Sequence, residues 1–337
     1  MDNAPILTIA IPTYNMGKYL PRNLESIVAA KCEAIETLIL DNSSTDGSGR
    51  IADLYANKYP RLFTAIHKEN QGYGSSVNWA IERAKGKYLR IIDADDWVDS
   101  EALADLVVQL KNQTADLVMM PYRIVCEKTG QEMIQFSAPR EWKAGDIQLS
   151  FCEETCPVPQ LHGTVFHTDF LRQTGVRLLE NAYYVDEQLM LWTYMCAESA
   201  CKLEADVYRY RIGNEMQSIS SRSMGLHWYD RECVIRSCLE QQRVLEKNGT
   251  LIRCCTLKLA ENIGNHFTTL FIYVKPRKTG RRLANEWRKF IQGRFPNLWK
   301  LVKKKAWLLS IISFFHISPM LYGKIKKSST LRRIVHT

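Results

Sequence analysis

The ten cysteines are scattered through 337 residues without the regular spacing of a disulfide framework, which excludes a small cross-linked secreted fold. The opening MDNAPILTIAIP lacks the basic flank, apolar core and small-residue cleavage site of a signal peptide. Reduced thiols and a cytosolic setting are therefore expected. Cys152 and Cys156 followed by His162 and His167 read C-x3-C and H-x4-H, with no second cysteine pair. These are expected to be four ordinary side chains rather than a metal site. Glycine and proline are sparse, at 17 and 11, while 46% of residues are hydrophobic. That balance excludes a fibrous or disordered chain and provides for a sizeable core.

Acids are nearly missing from the C-terminal end. From Lys275 to Thr337 seventeen Lys or Arg face one acid, Glu286, a net +16, which leaves −7 for the rest of a chain whose total is +9. The molecule is an acidic body with a basic tail.

The acidic body alternates strand and helix signals. Leu7–Ile11, Thr37–Leu40, Phe63–His67 and Tyr88–Ile92 are short apolar runs, each followed by turn residues and helical spacing. Helices are predicted over Gly17–Ala30, Gly49–Asn57, Tyr73–Ala84 and Glu101–Lys111. This order calls for an α/β fold, a mostly parallel sheet with helices on both faces. In such sheets ligands bind beyond the carboxyl ends of the strands. Those ends are PTYN (Pro12, Thr13, Tyr14, Asn15), DNSSTDGS from Asp41 and Asn42, ENQGYGSS around Gly72, and DADD from Asp93 to Asp96. QGYGSS lacks the third glycine of a dinucleotide fingerprint, so that cofactor is not expected.

The DADD run poses the sharpest question. Alternate residues of an extended segment share a face, so Asp93 and Asp95 point together. Two carboxylates that close repel each other and resist ionisation unless a cation intervenes. A hard divalent ion, Mg2+ or Mn2+, would relieve this and complete its shell with water and substrate phosphates. The competing reading makes Asp95, Asp96 and Asp99 caps for the helix that follows.

Taken in order, LTIAIPTYNMGKYLPRNLESI, ETLILDNSSTDGS and KENQGYGSSVNWAIERAKGKYLRIIDADDW resemble the nucleotide-sugar half of a family 2 glycosyltransferase of the GT-A fold, of the type that builds bacterial envelope or capsular polysaccharide. The resemblance implies an inverting enzyme that moves a sugar from a nucleoside diphosphate donor to an acceptor hydroxyl. It further implies that Pro12, Thr13 and Tyr14 line the nucleoside pocket, and that Asp93 and Asp95 hold ribose and metal, with Asp95 the direct ligand. Members commonly carry two adjacent acids after the second strand, the second accepting a hydrogen bond from uracil. Here the pair is Asp41-Asn42; an asparagine oxygen can accept the same bond without charge.

An inverting displacement also needs a carboxylate to take the acceptor's proton. ENAYYVDEQLMLW offers Asp186 and Glu187 at the start of an apolar helix, and by the resemblance Asp186 holds the base's place. The bland alternative is that Asp186 is an N-cap. Further on, VYRYRIGNEMQSIS supplies Arg211, Gln217 and Ser218, suited to a diphosphate; its alternation equally fits an edge strand with solvated arginines.

Residues 1–221 are thus expected to form the catalytic domain, 222–274 a helical appendage and 275–337 a basic amphipathic tail. Lys303–Lys327 is an apolar segment bracketed by lysines, with Trp307 and Tyr322 near its ends. It is too short and too polar for a comfortable span and fits a segment lying on an anionic membrane surface; the alternative is a helix packed on the catalytic domain with a solvated basic face. The expected acceptor is a saccharide or lipid-linked envelope precursor at the inner face of the cell membrane. Two other classes compete. A nucleotidyltransferase would want a glycine-rich basic loop, of which PTYNMGKYL supplies Gly17 and Lys18 alone. A non-catalytic nucleic-acid binder would want a less apolar tail than Trp307–Phe315, and no nucleic-acid partner is expected.

Overall fold

The computed structural model describes residues 4–149, 157–213, 221–247, 253–319 and 321–322. They fall into two units, Met1–Asn214 and Glu215–Thr337.

The first unit opens with β1 (Leu7–Thr13), α1 (Leu20–Val28), β2 (Ile35–Asp41), α2 (Ser48–Lys58), β3 (Phe63–His67), α3 (Gly72–Arg83) and β4 (Tyr88–Ile91). β1 lies between β2 and β4, parallel to both, and every one of its residues is buried, as a strand covered on both faces requires. Thr13 pairs with Asp41 and Ala10 with Ile91. The register therefore delivers PTYN, DNSS and DADD to one edge of the sheet. α1 starts at Leu20 rather than Gly17, because the Gly17 amide donates outward to Asp46 Oδ2 at 2.8 Å and a proline sits in the first turn.

The remaining elements are β5 (Trp97–Val98), α4 (Ser100–Lys111), β6 (Leu117–Met119), β7 (Tyr122–Cys126), β8 (Glu132–Gln135), β9 (Ile147–Leu149), β10 (Thr164–His167), α5 (Thr168–Gln173), α6 (Val185–Cys196), β11 (Ser199–Lys202) and β12 (Tyr208–Ile212). The large sheet runs β3-β2-β1-β4-β10-β6-β11-β9, and a small one β5-β12-β7-β8. β10 is antiparallel to β4 and β6, so the large sheet is mixed but mostly parallel. Leu20, Leu24 and Ile27 of α1 and Leu103, Leu106 and Leu110 of α4 pack with Leu7, Ile9 and Ile11 as one core; each full burial contributes about 1.5–3 kcal/mol.

Two alternatives from the sequence are settled here. Asp99 is the cap of α4, accepting from the Ala102 amide at 3.0 Å. β12 is not an edge strand. It lies between β5 and β7, Arg209 pairs with Asp99 at 3.0 Å and Asp206 at 2.9 Å, and Arg211 is buried.

The second unit is helical, with α7 (Ser221–Leu226), α8 (Trp228–Lys247), α9 (Arg253–Thr268), a π turn at Thr269–Tyr273, α10 (Arg277–Arg294) and α11 (Pro296–Phe314). Phe267, Trp287, Ile291 and Leu309 are buried. α11 shows the opposite on its outer face, where Lys300, Lys303 and Lys304 are exposed and Trp307 and Phe314 keep 67% and 70% of their surface. Among the described residues no helix is long and apolar enough to cross a membrane.

Candidate active site

The acid turn after β4 is held from three sides. Asp96 closes it by donating its amide to the Asp93 carbonyl at 3.0 Å. Asn23 of α1 donates Nδ2 to the Asp93 and Asp96 carbonyls, both at 3.0 Å. From β12, the Tyr208 hydroxyl accepts from the Asp93 amide at 3.1 Å and donates to Asp96 Oδ2 at 2.7 Å. The Arg211 amide donates to Asp96 Oδ1 at 2.7 Å, and its Nε to the Asp95 carbonyl at 2.7 Å. Both Asp96 oxygens are therefore engaged in joining the two sheets. Asp93 keeps a different posture: Tyr73 of α3 donates to its Oδ1 at 2.8 Å, while Oδ2 faces His162 Nε2 at 3.8 Å.

Burial of these carboxylates leaves negative charge poorly compensated. Burial first, and then Asp93, push Asp95 up to about 6. Asp96 is raised well above the carboxylate range by burial, then by Asp95 and Asp93, against the opposing hydrogen bonds from Tyr208 and Arg211. Such a turn suits a divalent cation, which removes the penalty that the acids impose on one another. Ligand atoms of Asp93, Asp96 and His162 lie within 4.8 Å of one another. The donor set, carboxylate oxygen with one imidazole, fits Mn2+ or a similar ion.

Asp186 belongs to α6. The chain before it is locked onto α3: Asn78 Nδ2 donates to the Leu178 carbonyl at 3.0 Å, the Leu178 amide returns to Asn78 Oδ1 at 2.8 Å, and the Asn181 amide donates to the Gln71 carbonyl at 2.7 Å. Two glycines permit this approach. Gly72 sits at φ +79°, and a Cβ at Gly74 would come 2.2 Å from the Leu179 carbonyl oxygen. Tyr184, at φ 68°, holds the N-cap position of α6, so Asp186 is a first-turn residue and not the cap. It is half-buried. Tyr73 is raised by burial, then by Asp93, and Asp186 adds to the shift; Tyr210 likewise feels burial first, then Asp93 and, further down, Asp186. Both acids thus act on the same two phenols.

The profile of glycosyl transferase family 2 matches residues 8–173. Glycosyltransferase GlyG of Streptococcus pneumoniae serotype 4 is 34% identical over 236 residues, 66% of this chain and 75% of GlyG. The chain belongs to glycosyl transferase family 2. Against two further curated relatives, the matched stretch spans 37% and 30% of their length. Among solved structures, TarS of S. aureus in complex with UDP-GlcNAc aligns over 91% of this chain and 89% of its own at a TM-score of 0.67 and 19% identity. The mannosyltransferase PcManGT of Pyrobaculum calidifontis, in complex with GDP-Man and Mn2+, covers 98% of this chain and 85% of its own, with a TM-score of 0.53 and 17% identity. At these identities the likeness is one of fold, the GT-A fold.

Within this family 2 fold, the other residues singled out from the sequence divide into three groups. Some sit at the sheet edge beside the acid turn. Thr13 is buried with its hydroxyl on the Ile11 carbonyl at 3.0 Å, and Tyr14 is 48% exposed. Asn15, at φ 53°, accepts from the Thr45 amide at 2.8 Å and donates its own to Ser44 Oγ at 2.9 Å, which ties the first two strand ends together. Asp41 is buried against His67 Nδ1 at 3.0 Å, and His67 Nε2 is 2.9 Å from Asp53. Asn42 is buried too, its Oδ1 accepting from Ser76 at 2.9 Å and Lys68 at 3.4 Å. Arg211 serves the turn directly, and its guanidinium also lies over the Tyr19 and Trp97 rings at 4.7 and 4.9 Å. Gln217, Ser218, Cys152 and Cys156 lie outside the described residues.

The two histidines part company. His167 packs on Tyr88, ring centroids 5.2 Å apart, as an ordinary side chain. His162, expected from the sequence to be equally ordinary, stands beside Asp93. Tyr73 and Asn23 are further site residues that sequence reading passed over, because nothing in their spacing marks them as partners of a turn far away in the chain; Tyr208, which the sequence groups with the arginines of VYRYRI as suited to a diphosphate, instead holds the acid turn.

Proposed function

We propose that this protein transfers a sugar from a UDP-linked donor to the hydroxyl of a saccharide or lipid-linked acceptor, with inversion at the anomeric carbon, in a divalent-cation-dependent reaction. The observation that supports the reading is the acid turn after β4, where ligand atoms of Asp93, Asp96 and His162 lie within 4.8 Å of one another. The uridine choice draws support from the UDP-GlcNAc held by TarS, and the cation from the Mn2+ held by PcManGT.

Asp93 and Asp95 would hold the cation, which when bound supplies charge neutralisation for the departing diphosphate. The chain's own groups do the rest. Tyr73 orients Asp93 through its Oδ1, leaving the other oxygen directed into the site. Arg211 fixes the Asp95 carbonyl and keeps a guanidinium next to the acid turn. Pro12 to Asn15, with Asp41, Asn42 and Gly72, border the donor's nucleoside. Asp186 accepts the proton from the acceptor hydroxyl as the oxygen attacks.

The basic tail completes the proposal. Lys300, Lys303 and Lys304 beside Trp307 and Phe314 on α11 fit an anionic leaflet, with cations on headgroups and rings at the interface. This would place the enzyme at the inner face of a membrane where lipid-linked acceptors are presented. Incubation with a panel of nucleoside diphosphate sugars and Mn2+, following release of the nucleoside diphosphate, tests the central claim. Pyrophosphate release from a nucleoside triphosphate and sugar phosphate would support the nucleotidyltransferase class instead, against which family membership weighs.

A further inference from the structure

His162 enters the site from the loop ahead of β10 and is fixed there on every side. Its carbonyl accepts from Arg90 Nη2 at 2.7 Å. The ring stacks on Tyr210 with centroids 4.1 Å apart and an interplanar angle of 29°, and Tyr208 meets it edge-on at 5.0 Å. Arg90 is itself wholly buried on β4. Among the described residues it has no carboxylate partner, and its guanidinium lies 5.5 Å over the Tyr208 ring. A buried cation committed to a backbone carbonyl, the Met120 sulfur at 3.2 Å and an aromatic face is an expensive way to hold a turn, and it holds the one that carries His162.

What the ring does with its position is the informative part. Nε2 is directed at Asp93 Oδ2 but stops at 3.8 Å, beyond hydrogen-bond range. Two ligands of one divalent ion, each about 2.1 Å from it, stand roughly 3 to 4 Å apart. The separation therefore suits a shared ion better than a direct bond. Asp96 is the third member of the cluster, yet both its oxygens already accept from Tyr208 and Arg211. Asp93 and His162 are the members whose atoms face each other across a gap.

We propose that His162 Nε2 is a protein ligand of the divalent cation at the Asp93 turn, and that it tilts the site toward Mn2+ over Mg2+. Imidazole suits first-row transition ions, whereas Mg2+ keeps to oxygen. The inference rests on the cation-dependent donor reading above and adds a ligand that the DADD turn does not supply.

The test uses the full chain loaded with Mn2+, alone and with UDP. Pulsed electron paramagnetic resonance should show coupling of the Mn2+ to an imidazole nitrogen in the wild type, and His162→Ala should lose it. Mn2+ affinity should fall about tenfold or more in that variant, and Mg2+ affinity should change far less. His162→Asn, which keeps a polar side chain of similar reach, should restore part of the affinity and none of the imidazole signal. A wild type that binds Mn2+ and UDP without nitrogen coupling overturns the role of His162 alone. A wild type that binds neither overturns the donor reading, and the inference with it.

Discussion

Tyr208 donates its hydroxyl to Asp96 at 2.7 Å across 112 positions of sequence, and the same oxygen accepts from the Asp93 amide. One phenol thus closes both ends of the acid turn from a strand of the other sheet. Tyr208→Phe leaves a buried carboxylate oxygen and a buried amide without their partner. The expected loss is about 1–3 kcal/mol of stability, read from denaturant melts, with weaker Mn2+-dependent UDP binding by calorimetry.

Asp186 separates chemistry from binding. With Asp186→Asn, turnover should fall by about 10²- to 10⁴-fold, while UDP affinity in the presence of Mn2+ stays close to wild type. Retained turnover overturns the base assignment.

Asp95 is predicted to be a stability liability kept for binding. Burial and the neighbouring Asp93 hold its carboxyl up to about 6, so near neutral pH the metal-free protein carries an unfavourable charge there. Asp95→Asn removes it. The metal-free variant should melt a few degrees higher than wild type in calorimetry at neutral pH, yet lose metal-dependent UDP binding. A lower melting temperature would contradict the repulsion argument.

His67 gives a pH signature outside the acid turn. Its hydrogen bonds to Asp53 and then to Asp41 raise it above the ordinary value of 6.5. A raised histidine contributes stability that is fully present below its unfolded value and lost as pH climbs through the folded one. Stability should accordingly decline from about pH 6.5 upward by a component that His67→Gln abolishes. Urea melts across that window, wild type against variant, check it.

The outer face of α11 predicts vesicle binding. The wild type should co-sediment with anionic vesicles at moderate salt and less so as salt rises. Replacing Trp307, Phe314 and Phe315 by Ala should reduce sedimentation without changing UDP affinity. Equal binding to neutral and anionic vesicles would contradict the role of the lysines.

How much of this could be read in advance depended on range. β1 to β4 are short apolar runs that pair in parallel, β1 and β4 buried at every residue and β3 at the sheet's edge, so composition alone betrays them, and the DADD acids lie where such strands end. The start of α6 was legible because the polar pair Asp186 and Glu187 opening an apolar helix stands out locally. β5 to β9 and β11 are two to five residues long, too short for periodicity to register. β12 misleads for another reason: YRYRI alternates as an edge strand does, yet its arginines are paired inside the fold, which no local pattern records. His162 was drawn to notice by its spacing from Cys152, Cys156 and His167, whereas the neighbour that matters, Asp93, is reached through the antiparallel pairing of β10 with β4.

The contact of Gly74 with the Leu179 carbonyl bears on how such an enzyme can diversify. Because bare backbone rests on bare backbone there, the segment leading to Asp186 has no compressible side-chain layer beneath it. A lengthened or bulkier segment at that spot would shift Asp186, the proposed base, so this side of the fold leaves little freedom for remodelling.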